Sequence, residues 1–151
     1  LIFVGHLPRR HIRQHRGRVE PAGAVWYFAA NHQGEKIEPP KDIALSEGLV
    51  GLNSPMLIHN RHHETEVSDK ALGIRMTGCA GVELIALAKG QRAGYLSHLA
   101  PWDYAPGGVL LETLGLKMAN IKGEPLSLNG RELFVGGTPK AFEELLAIVN
   151  Q

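Results

Sequence analysis

From about residue 24 onward the apolar positions fall into short blocks that differ in kind. AVWYFAA, Ala24 to Ala30, is β-branched and aromatic and predicts a strand, followed by a turn across Asn31 to Gly34 and an extended piece ending at Pro39 and Pro40. KDIALSEGLVGLNS predicts a short helical turn near Ile43 to Glu47 and a compact strand from Leu49 to Asn53. His59 to Leu72 is polar and helix-compatible, which places it on the surface.

The second half is more regular. GIRMT predicts a strand, and the spacing of Val82, Leu84, Ile85, Leu87 and Ala88 predicts a helix closed by Gly90. A short strand near Gly94 to Ser97 follows, then a helix opening near Asp103 and closing at Gly115, then a strand from Leu116 to Asn120. Glu132 to Val135 is another strand. Thr138 as N-cap and Pro139 at the first helical position introduce the amphipathic AFEELLAIVN. Strands interleaved with helices in this order predict an α/β domain, a layered and mostly parallel sheet flanked by helices.

Residues 1 to 22 stand apart, with no sustained period of 2 or 3.6. Arg9, Arg10, Arg13, Arg16 and Arg18 give residues 1 to 19 a charge of +5, so the overall +1 conceals −4 on the remaining 132 residues. The expected organisation is therefore a basic, poorly packed segment over 1–22 and one α/β domain over 23–151. A nucleic-acid arm is the competing use of such a basic run, but aromatic residues other than Phe3 are missing from it, and nucleic acid is not the expected partner. No apolar run approaches the ~20 residues of a membrane span, and LIFVG is too short for a signal peptide. The single Cys79 excludes a disulfide framework or a multi-cysteine metal site within the chain, which fits the cytoplasm. The first residue is Leu rather than Met, as expected of an excerpt or a processed product.

Four features of the sequence could carry chemistry. Asp103 follows Pro101 and Trp102 at a helix start, where its carboxylate either caps free backbone N–H groups or offers an oxygen to a hard cation such as Mg²⁺. Gly78, Cys79 and Ala80 make a small-residue turn before a helix, which suits a polar ligand and equally suits any tight strand-to-helix turn. His59, His62 and His63 with Glu64 and Glu66 resemble a metal cluster superficially; His59 and His62 would share a helix face, yet the pattern matches no catalytic motif and a solvated polar helix is the expectation. His98, five residues before Asp103, lines the same cleft or faces solvent.

GCAGVELIALAKGQRAGYL, then PWDYAPGGVLLETLG, then a strand, a Gly-Gly and a helix, together resemble the C-terminal half of the inositol monophosphatase superfamily. Gly78 and Ala80 match that family's Gly-Ser-Ala-Ala turn; Trp102, Asp103, Ala105 and Gly107 match its Trp-Asp-x-Ala-Ala-Gly; Glu112 and Gly115 match its Glu-Ala-Gly-Gly. The likeness covers residues 73 to 150 and extends back toward Ala24, where GEKIEPP resembles an Asn-Gly-x-x-Ile piece.

The resemblance implies a Mg²⁺-dependent, lithium-sensitive phosphate monoester hydrolase, with Asp103 at the metal and Gly78, Cys79 and Ala80 against the alcohol portion of a small phosphorylated substrate. It also implies a homodimer. Departures are equally specific. The family's Asp-Pro-x-Asp-Gly-Thr stretch and the paired glutamates before it have no counterpart, Cys79 replaces Ser or Thr, Pro106 replaces Ala, and Leu114 interrupts the last Gly-Gly. The acid often found shortly before Pro-Trp-Asp is replaced by Leu96, Ser97 and His98. The expectation is the substrate-binding half of a phosphatase for inositol phosphate or a related sugar or nucleotide phosphate, inactive by itself and with no catalytic residue assigned. The alternative is a shortened, non-catalytic relative serving as a binding or dimerisation module.

Overall fold

The computed structural model describes Asn31–His32 and residues 35–151, with side chains from residue 37 onward. The chain divides into Leu1–Ile37 and Glu38–Gln151. In the first unit β1 (Asn31–His32) and β2 (Glu35–Lys36) pair antiparallel, Asn31 opposite Lys36. The strand expected over Ala24 to Ala30 and the basic residues 1 to 22 lie outside the described residues.

The second unit is built on five strands: β3 (Leu49–Gly51), β4 (Gly73–Arg75), β5 (Gly94–Leu99), β6 (Lys117–Asn120) and β7 (Glu132–Gly137), in the order β4-β3-β5-β7-β6. β3 lies parallel between β4 and β5, and β7 lies antiparallel between β5 and β6. Four strands therefore run one way and β7 opposes them, so the sheet is mixed. Helices α1 (Ser54–His59), α2 (Glu64–Lys70), α3 (Ala80–Ala88), α4 (Pro101–Thr113) and α5 (Pro139–Val149) flank the sheet.

Side chains alternate across each strand, as the two-residue period of a pleated sheet requires. Leu96, Leu133 and Val135 join Leu145, Ile148 and Val149 of α5 and Val67 of α2 in one buried cluster. Tyr95 and Phe134 turn to the opposite face, where their rings lie 5.7 Å apart and Phe134 stacks on Tyr104 of α4 at 6.3 Å. Tyr104 is fixed by its hydroxyl, which donates to the carbonyl of Ser127 and, at 3.2 Å, to Glu132. On this face α3 and α4 pack together because Gly107 has no side chain: a Cβ there would stand 2.5 Å from Leu84 Cδ1.

Local signals explain most element boundaries. Thr138 Oγ1 accepts the Ala141 N–H at 3.4 Å and Pro139 occupies the first turn of α5. α3 stops before Gly90, whose φ of +69° is the left-handed conformation that closes helices. α4 opens at Pro101, two residues before Asp103, which therefore sits in the third helical position. The polar stretch from His59 to Leu72 lies mostly at the surface, as expected, but its helix is α2 alone: α1 ends at His59, Asn60 follows at φ +45°, and Glu64 and Val67 of α2 are buried. Among the described residues no helix is long and apolar enough to cross a membrane.

Candidate active site

A cavity of about 300 Å³ opens where β3, β5, α3 and α4 converge. Gly78, Cys79, Ala80, Asp103 and His98 line it, so the structure brings together the small-residue turn, the Trp-Asp carboxylate and the neighbouring histidine. Gly78 has φ +71°, which turns the chain from β4 into α3 at no steric cost. Cys79 is the N-cap of α3 with no side-chain cap bond; the Thr77 hydroxyl oxygen accepts the Cys79 N–H at 3.4 Å. The first turn of α3 therefore presents backbone N–H groups at the cavity wall, where a helix end favours negative charge.

Asp103 enters the cavity as part of a cap. Its Oδ2 accepts the Ala100 N–H at 2.9 Å, tying the carboxylate back to the residue before α4. Asn53 Nδ2 donates to Ser97 Oγ at 3.1 Å, while Asn53 Oδ1 caps α1 through the Met56 N–H. Tyr95 stands beside this pair. Burial is the main cause of its raised pKa; the hydrogen bond with Ser97 works against it, and Glu83, Asp103 and Cys79 add to it.

Glu83 and Arg92 also belong here, although neither attracts attention in the sequence. Arg92 Nε donates to Glu83 Oε2 at 2.8 Å, and the side chains are 12% and 2% exposed, so the ion pair is largely withdrawn from water. Glu83 and Arg131 both line the cavity, and Arg131 Nη1 donates to the His98 carbonyl at 3.1 Å. The available signal was Glu83 itself, an acid among the apolar positions of VELIALA.

His59 and His62 do not share a helix face, because α1 ends at His59. The His62 ring instead lies 5.8 Å from that of His98. His98 keeps an exposed edge, yet loss of hydration on its packed side, then His62, lowers its pKa; Glu64 opposes this, and Arg131 and Arg61 add to it. Glu64 is buried with Oε2 accepting the His62 N–H at 2.9 Å.

Among the described residues no three His, Cys, Asp or Glu side chains are grouped to hold a metal ion. Mg²⁺ requires near-octahedral oxygen coordination. Asp103 with one oxygen already hydrogen bonded does not supply that, so these residues do not by themselves make a magnesium site.

The mixed sheet with helices on both faces is an α/β domain in which Asp103 and the Gly78-Cys79-Ala80 turn before α3 line one cavity. The inositol monophosphatase family profile matches residues 24–151, and the chain belongs to that family. It is 32% identical over 120 residues to the inositol-1-monophosphatase of Bacillus subtilis (strain 168), covering 74% of this chain and 45% of that protein. The inositol monophosphate-bound structure of SaIMPase-II superposes with a TM-score of 0.76 at 25% identity, over 81% of this chain and 50% of that one. Inositol monophosphatase-II from Staphylococcus aureus MSSA476 gives 0.75 at 23% identity, over 84% and 49%. The chain thus spans about half the length of the relatives it matches.

Proposed function

We propose that this chain forms the substrate-binding half of a phosphate monoester hydrolase acting on inositol phosphate or a related sugar or nucleotide phosphate. The observation that carries the proposal is the convergence of Gly78, Cys79, Ala80 and Asp103 on one cavity in a member of this family. Two relatives support the substrate class: one is named inositol-1-monophosphatase and one was solved with inositol monophosphate bound.

In this proposal the α3 turn holds the alcohol portion of the substrate. Its open N–H groups donate to polar ligand oxygens, and Gly78 lets these approach. Asp103 directs an oxygen at the reacting end while Oδ2 keeps the carboxylate aligned through the Ala100 N–H. Phosphoryl transfer is mostly positioning and charge stabilisation. Asp103 would hold one position of a Mg²⁺ ion, which would supply Lewis-acid charge there, and among the described residues no further carboxylates are grouped with it. The 151-residue chain alone is accordingly inactive.

Phosphate release from myo-inositol 1-phosphate with and without Mg²⁺ tests this. The expected result is no turnover by the 151-residue chain, and Mg²⁺-dependent turnover by the protein as encoded in its full reading frame, lost in Asp103→Asn. Full activity in Asp103→Asn with unchanged Mg²⁺ dependence would overturn the role of Asp103. Turnover by the 151 residues alone would overturn the division of labour.

A further inference from the structure

A second cavity, of about 500 Å³, adjoins the first, and Asn53 and His98 belong to the walls of both. His59 and Arg61 line it, and both are exposed. Arg61 makes no ion pair or hydrogen bond among the described residues, so its guanidinium donors are unspent. On the other side of His98, Arg131 lines the first cavity, where its Nη1 donates to the His98 carbonyl at 3.1 Å and the guanidinium is held in place. The charges of His62, Arg131 and Arg61 all act on the His98 imidazole in one direction, and Glu64 acts against them. Glu64 is the acid in the wall of the second cavity, but it is only 1% exposed and its Oε2 already accepts the His62 N–H. It offsets one guanidinium charge and leaves the other unbalanced. Two guanidiniums and two imidazoles around open space suit an anion with several acceptor oxygens.

We propose that the seam of the two cavities, at His98, is a subsite for a phosphate dianion, bound by Arg61, His59 and His98 on one side and Arg131 on the other. A guanidinium matches phosphate oxygens with two parallel N–H groups, whereas a neutral hydroxyl would leave the cationic excess unbalanced. The phosphate has two possible sources, free phosphate or a second phosphate on the substrate. The second source rests on the proposed function: with Asn53 and His98 common to both cavities, a phosphate on the far end of the alcohol portion reaches the subsite while the alcohol stays against the α3 turn. Either way a dianion beside the imidazole favours its charged form, so occupancy raises the His98 pKa from its lowered value.

The test is an NMR titration of the isotopically labelled 151-residue chain and its Arg61→Gln variant at near-physiological salt. The ligands are inorganic phosphate, myo-inositol, myo-inositol 1-phosphate and myo-inositol 1,4-bisphosphate. Inorganic phosphate is expected to shift the His59 and His98 ring signals saturably and to raise the His98 pKa, and myo-inositol to leave His59 in place. Arg61→Gln is expected to weaken phosphate binding about tenfold, as the loss of charge-assisted hydrogen bonds requires. If the substrate carries the phosphate, the bisphosphate binds about tenfold or more tightly than the monophosphate and loses that margin in Arg61→Gln. If the phosphate is free, the bisphosphate has no such margin, and inorganic phosphate and myo-inositol 1-phosphate bind together without displacing one another. No saturable shift of His59 and His98 with inorganic phosphate or the bisphosphate overturns the subsite, as does binding of both by Arg61→Gln as tightly as by the wild type; the proposed function stands in either case. Shifts of His59 and His98 with inorganic phosphate, and none at Gly78, Cys79 and Ala80 with myo-inositol 1-phosphate, keep the subsite and overturn the proposed function.

Discussion

Replacing Arg92 by Met should destabilise the domain far more than removing a surface charge. The guanidinium is 12% exposed and its Nε supplies the hydrogen bond to Glu83 Oε2, while Oε1 already has none. Arg92→Met leaves a carboxylate at 2% exposure with neither oxygen partnered. Breaking one side of a buried pair costs about 3 to 5 kcal/mol, against about 0 to 1 kcal/mol for an exposed pair. With a urea slope of about 2 kcal/mol per molar, a loss of about 4 kcal/mol lowers the unfolding midpoint by about 2 M. The double variant Glu83→Leu/Arg92→Met removes both charges and should recover most of that loss, since apolar replacements of buried pairs are often neutral or stabilising. Urea unfolding followed by circular dichroism on the wild type, both single variants and the double closes the cycle. A loss below about 1 kcal/mol in Arg92→Met, or a double variant as unstable as the single, would refute the claim that the pair is buried and coupled.

His98 should titrate below the ordinary histidine value by NMR, and His62→Ala should move it back up, because His62 is the largest charged contributor to the shift after loss of hydration. The folded state then binds that proton later than the unfolded chain. Its contribution to stability is present above about pH 6.5 and is lost as pH falls from there toward the lowered folded-state pKa. Asp103→Ala should cost about 1 kcal/mol of urea stability by freeing the Ala100 N–H, and Asp103→Asn less, which separates the cap from any role in phosphate release. Gly107→Ala should cost about 1 to 3 kcal/mol because its Cβ would fall 2.5 Å from Leu84 Cδ1; combining it with Leu84→Ala should cost less than the two separate losses added together.

The regular second half was legible because its boundaries are set locally. Thr138-Pro139 starts α5, Gly90 closes α3, and the apolar spacing of α3 and α5 follows the helical period. The antiparallel placement of β7 between β5 and β6 was not legible, since strand direction depends on which neighbours meet and not on the strand's own residues. The break between α1 and α2 was missed because it rests on Asn60 taking a left-handed conformation that its polar neighbours do not announce. Asp103 and the Gly78-Cys79-Ala80 turn were found through motif spacing, and the fold places them on one cavity. Glu83, Asn53, Tyr95 and Ser97 were not, because alternate positions of β5 and one face of α3 become a site only when the sheet registers Val50 against Gly94 and α4 closes over them.

The central claim is that this cavity binds the alcohol portion of a phosphorylated polyol. Titration of the isotopically labelled 151-residue chain with myo-inositol 1-phosphate tests it most directly. Saturable shifts of the Gly78, Cys79, Ala80, Ser97 and Asp103 amides are the predicted result. Saturable shifts confined to surfaces away from these residues, or none at all, would contradict it.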